Sequence, residues 1–121
     1  MMTLPDFVAK WRGHEFQSST GLTEEFAAFA KEFKKAITQE MMDAFVVTFH
    51  GGHFEVSGFL QNKTTDRCVY WHISDVRFFS DEWVDHMLIR TTRDDHDYTG
   101  GPNQYASLVD LHDRAMLMTT L

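Results

Sequence analysis

Apolar residues along the chain follow two rhythms, and the change between them falls near residue 43. Before it, Leu22, Phe26, Phe29, Phe33, Ile37 and Met41 recur every three or four positions. Glu24, Glu25, Lys31, Glu32, Lys34 and Lys35 fall on the other side. That spacing predicts a long amphipathic helix capped by Thr23, because side chains three and four apart share one helix face. A shorter helix is predicted upstream. Thr3 caps it, Pro5 fits its first turn and Asp6 lies near its positive end. Phe7, Val8 and Trp11 give it an apolar side, and Gly13 ends it.

Beyond residue 43 the period becomes two. Ala44 to His50 sets Phe45, Val47 and Phe49 against Ala44, Val46, Thr48 and His50, and Gly51-Gly52 follows. Two glycines between alternating runs predict a two-residue hairpin, since both can take positive φ. Folding there sets His50 opposite His53, Phe49 opposite Phe54, Val47 opposite Val56 and Phe45 opposite Gly58, with apolar residues meeting apolar ones. The polar stretch Asn62 to Arg67 predicts the next turn. Cys68 to Ser74 then reads as a third strand with Val69, Trp71 and Ile73 on one face. If Leu60 pairs with Val69, Gly58 lies between Phe45 and Trp71 and leaves room for both rings.

Ser80-Asp81-Glu82 begins a short helical turn through Trp83 and Val84, and Met87 to Thr92 forms a fourth strand. After the acidic loop from Asp94 to Gly101, Pro102 or Asn103 opens a last helix. Its buried side is Tyr105, Leu108, Leu111, Ala115 and Met118, and Asp110 with Arg114 makes an i,i+4 pair. The order α-α-β-β-β-(short α)-β-α predicts one α+β domain over residues 1–121. Its antiparallel sheet has about four strands, with the N-terminal helices and the C-terminal helix packed on one face. No βαβ alternation occurs, so a nucleotide-binding parallel sheet is not expected.

Composition sharpens this picture without changing it. At 121 residues with 43% hydrophobic content, including 11 Phe and 3 Trp, the chain can fill a core unaided. A lone cysteine, Cys68, excludes an internal disulfide and fits a reducing compartment. The first residues lack a basic region followed by an apolar one, and no run reaches the ~20 apolar residues that span a bilayer. A cytoplasmic location without membrane contact is expected. Eighteen acidic against eleven basic residues give a net charge of -7. That balance argues against direct nucleic-acid binding and suits either plain solubility or a basic protein partner.

Histidine is the unusual residue, with seven: His14, His50, His53, His72, His86, His96 and His112. A two-residue hairpin would put His50 and His53 side by side, close enough to share an ion. Asp94 and His96, beyond the fourth strand, are candidates to complete a zinc site. The spacing matches no zinc finger and no metalloprotease helix, and the plain alternative is two turn-flanking histidines. His72, between Trp71 and Ile73, could serve as a general base beside Tyr70 and Ser74, but no nucleophile is marked for it. Gly100-Gly101-Pro102-Asn103 reads as a helix-entry turn rather than an anion cradle, because Asp94, Asp95 and Asp97 would repel phosphate.

Phe59, Tyr70, His72 and Glu55, with Val46 and Ser57, fall on the sheet face away from the predicted core. Aromatic rings in a polar surround suit a partner-binding surface. The alternative is that the short helix around Trp83, or the last helix, covers this face. Taken together, the pattern points to a small acidic protein-binding module that occupies a larger, basic, nucleic-acid-handling protein. Small acidic inhibitors of phages and mobile elements, including anti-CRISPR proteins, have this character, a likeness of type rather than of sequence. A metal on His50 and His53 would pin the hairpin. Two other functions stay open: a small metal-dependent enzyme using the histidines, and a ligand-binding domain with a pocket between helix and sheet.

Overall fold

The computed structural model describes residues 3–16, 22–51, 55–76, 82–94, 97 and 100–120. Helix α1 runs Leu4–Trp11 behind a capping box. The Asp6 N–H donates to Thr3 Oγ1 at 3.2 Å, and the Thr3 N–H donates back to Asp6 Oδ2 at 3.3 Å. Hydrogen bonding of the Asp6 carboxyl to the Thr3 side chain and then to its backbone N–H holds it below its ordinary value. Helix α2 runs Leu22–Met41, so Thr23 lies inside it rather than at its cap. The predicted apolar stripe is the buried face: Phe29, Phe33, Ile37 and Met41 are all fully buried.

The sheet is antiparallel throughout, in the order β1 Phe45–Gly51, β2 Val56–Asn62, β3 Cys68–Ile73, β4 Met87–Thr92 and β5 Gln104–Ala106. It therefore has five strands. The fifth lies where the sequence predicted the start of a helix: Leu88 pairs with Tyr105 and Ile89 with Gln104. The spacing of Tyr105, Leu108 and Leu111 fits a helix as well as it fits a strand followed by a turn. Pairing with the otherwise open edge of β4 decides between them, and Tyr105 is left half exposed. A 3-10 turn, Leu108–Asp110, then leads into α4, Leu111–Thr120, which buries Leu111, Ala115 and Thr119.

The first hairpin differs in register from the expected one. Gly51 is still in the strand, opposite Val56. Val47 faces Leu60, Phe49 faces Gly58 and His50 faces Ser57. A slip of four residues leaves every side chain on its own face, so alternation cannot separate the two registers. Gly58 thus lies between Phe49 and Trp71, not Phe45 and Trp71, whereas Leu60 does pair with Val69. The two rings meet edge to face over Gly58 with centroids 5.5 Å apart. A Cβ there would stand 1.8 Å from the Thr48 carbonyl oxygen and 2.8 Å from Trp71 Cζ2.

One face of the sheet carries Phe45, Leu60, Val69, Trp71, Ile73, Met87 and Ile89, all in the apolar core. The helices gather on it. Phe33 of α2 packs against Trp71 at 5.7 Å between ring centroids. Phe7 of α1 and Phe29 of α2 both meet Trp83 of the short helix α3, Glu82–Asp85, at 5.2 and 5.5 Å. Helix α4 reaches the same side through His112, whose ring stands edge-on to Phe45 at 5.9 Å. His112 Nε2 also lies 3.0 Å from Asp43 Oδ1, and that hydrogen bond holds the Asp43 carboxyl below its ordinary value. Among the described residues no helix is long and apolar enough to cross a membrane.

Candidate functional site

The observed register does not give His50 the strand partner that the expected hairpin assigned to it. His50 faces Ser57 across the hairpin and sets its ring edge-on to Phe59, with centroids 6.0 Å apart. The expected opposition of His50 and His53 required a two-residue turn at Gly51-Gly52, and Gly51 is instead paired with Val56. His53 and His96 lie outside the described residues. Asp94 follows the end of β4, where its backbone oxygen accepts from Thr92 Oγ1 at 3.1 Å. Among the described residues no group of three or more His, Cys, Asp or Glu side chains is placed to hold an ion.

The four residues nominated for partner binding do come together, on the face opposite the helices. Phe59 and Tyr70 pack at 5.4 Å between centroids, Tyr70 stacks on His72 at 6.5 Å, and His72 Nε2 lies 3.4 Å from Glu55 Oε2. The two aromatic members are largely buried. Phe59 is 0% and Tyr70 8% exposed, and the Arg90 guanidinium lies 4.8 Å over the Tyr70 ring. Neither α3 nor α4 covers this face, since both pack on the other one. The polar members, Glu55 and His72, remain accessible, and Val46 is 51% exposed beside them.

A different site is built where β3 starts and β4 ends. The turn before β3 is organised by buried Asn62. Its Oδ1 accepts the N–H groups of Thr64 and Thr65 at 2.8 and 3.2 Å, and its Nδ2 donates to Thr119 Oγ1 at 2.9 Å. Thr65 Oγ1 donates to the Thr119 carbonyl at 2.9 Å, so the turn is tied to the last turn of α4. Asp66 takes φ 63, and the chain then enters β3 at Cys68, opposite Thr92, with Arg67 just before it.

The connection from β4 to β5 is fixed as closely. Asp97 is 7% exposed; its Oδ2 accepts the Arg93 N–H and its Oδ1 the Gly100 N–H, both at 3.1 Å. Its carboxylate thus orders this connection. The Gly101 N–H donates to the Thr91 carbonyl at 2.8 Å. Gly100 has φ +28, and a Cβ there would meet the same carbonyl oxygen at 2.3 Å. The glycine pair therefore folds the chain back into β5 rather than into a helix.

These restraints leave a cleft of about 860 Å³ between the sheet end and α4. Arg67, Arg93 and Arg114 stand around it with Gln104, and Leu117 and Met118 supply apolar lining. Arg114 Nη2 donates to Gln104 Oε1 at 3.5 Å, which orients one guanidinium along the wall. Arg93 Nε lies 3.5 Å from Asp97 Oδ2. A smaller recess of about 350 Å³ adjoins it, sharing Thr91, Thr92 and Arg93 and reaching Asp97, Gly100 and Gly101. The arginines come from a turn, a strand end and a helix, so no sequence spacing announces them. One cue was present: Arg67 immediately precedes the third strand and Arg93 immediately follows the fourth, and antiparallel pairing makes those ends neighbours. No family model, no curated protein and no solved structure matches this chain, so the functional reading rests on the cleft and the charge.

Proposed function

We propose that this chain is a ligand-binding α+β domain whose site is the cleft between the β3–β4 end of the sheet and α4. The observation that carries the reading is the cleft itself: about 860 Å³, with apolar lining from Leu117 and Met118 and orienting polar groups from Gln104 and the arginines. Small-molecule sites have this size, roughly 300–1,000 Å³, and this mixture of apolar wall with a few placed polar groups. Screening a panel of small molecules by ligand-induced thermal stabilisation tests it. Compounds that raise the melting temperature should lose that effect in Gln104→Trp, which fills the cleft, and keep it in Val46→Trp. Stabilisation that survives Gln104→Trp would place the site elsewhere.

The acidic-inhibitor reading is second. It is supported by the net charge of -7 and by carboxylates such as Asp43 and Asp113, whose side chains are 71% and 98% exposed. On that reading the protein captures a basic, nucleic-acid-handling partner, and capture weakens steeply as salt screens the attraction. A partner retained equally at low and high salt counts against it.

A further inference from the structure

We propose that the ligand of this cleft is a small organic phosphate with an aliphatic rather than an aromatic body, an inference that rests on the cleft being the ligand site. Three of the chain's six arginines border this one cavity, in a protein whose net charge is -7. The overall field repels anions, so three guanidiniums gathered from three separate segments make a local exception to it. Guanidinium groups present paired N–H donors that match phosphate and carboxylate oxygens two at a time. Three of them suit a doubly charged head better than a singly charged one.

The neighbouring carboxylates do not cancel this charge. Asp97 already accepts hydrogen bonds from two backbone N–H groups and lies at Arg93. Asp66, the one carboxylate among the described residues that line the main cleft, is exposed to water. The rest of the lining says what the phosphate is attached to. Among the described residues no aromatic ring borders the cleft, so none of them offers a nucleobase a ring to stack on. Leu117, 55% exposed on α4, and Met118 offer a flexible apolar surface beside the charges.

Calorimetric titration with inorganic phosphate, hexyl phosphate, heptanoate and hexanol separates the parts of this claim. Hexyl phosphate should bind best, with inorganic phosphate and heptanoate each weaker by about tenfold or more and hexanol weakest. Arg67→Ala and Arg114→Ala should each weaken hexyl phosphate by about tenfold, the scale of a lost charge-assisted hydrogen bond. Arg12→Ala should leave binding unchanged, and the melting temperature of each unliganded variant shows that its fold is intact. Absence of hexyl phosphate binding at about 10 mM, heptanoate binding as tightly, or indifference to both arginine substitutions overturns the phosphate inference. Hexanol binding as well as hexyl phosphate, and being blocked by Gln104→Trp, would sink the anion while the cleft reading stands. If Gln104→Trp blocks none of the four compounds, both fall.

Discussion

Beneath α2 the sheet is filled by rings; at the end where β3 begins and β4 stops it is lined by guanidiniums, hydroxyls and an amide. Phe33, Trp71, Phe29 and Trp83 interlock in the first region and are fully buried or nearly so. In the second, Arg93 is 87% exposed and makes an ion pair at the long distance of 3.5 Å. Burial explains the first set of residues, because removing large apolar surfaces from water is the dominant favourable term in folding. Nothing comparable holds the arginines where they are. Exposed ion pairs contribute ~0–1 kcal/mol, so this concentration of cations is not accounted for by stability.

That contrast can be broken by mutation. Phe33→Ala should cost most, about 3–5 kcal/mol in urea unfolding, because it empties the contact with Phe7, Phe29 and Trp71. Gly58→Ala should follow at about 1–3 kcal/mol, since its methyl would be driven into the Thr48 carbonyl and the Trp71 ring. Asn62→Ala should cost about 1–3 kcal/mol by removing the acceptor of the Thr64 and Thr65 N–H groups and the buried partner of Thr119, and it should loosen the cleft as well. Arg67→Ala and Arg114→Ala should change unliganded stability by no more than about 0.5 kcal/mol. A loss comparable to that of Phe33→Ala would make the arginines structural and erase the distinction.

Acid sharpens the same comparison at smaller scale. Asp6 and Asp43 have carboxyl groups held below their ordinary value, by Thr3 and by His112 respectively. A depressed folded value means the charged form is favoured by folding. The stability it adds is present above the unfolded value, near pH ~4, and is lost as pH falls through the folded one. Asp6→Asn combined with Asp43→Asn should therefore flatten the stability profile below pH ~4 and leave the cleft's ligand binding at neutral pH unchanged. A profile that keeps its slope assigns the acid sensitivity to other carboxylates.

Most of the fold was legible because burial writes itself into period. The stripe from Phe26 to Met41 and the alternation through Val69, Trp71 and Ile73 each have one explanation, and the bounds of β4 follow from Met87 to Thr92. Where two arrangements bury the same side chains, the period is silent. The four-residue slip between β1 and β2 is one case, and the three-residue β5 is another, too short to show alternation of its own. The cleft was illegible for a different reason. Arg67, Arg93 and Arg114 are solvent-compatible residues with no periodic constraint, and only the completed sheet brings their segments together. The strand partner expected for His50 was inferred from a two-residue turn, and the observed pairing gives it Ser57 instead.

The most direct test of the central claim, that the molecule binds its ligand at the end of β3 and β4 and not on its packed faces, is a two-dimensional NMR titration of the 15N-labelled protein with hexyl phosphate. The account predicts progressive shifts in the amides of Arg67, Cys68, Thr92, Arg93, Gln104 and Leu117, with Phe33, Trp71 and Val46 stationary. Shifts centred on β1 and β2, or none at saturating ligand, would contradict it.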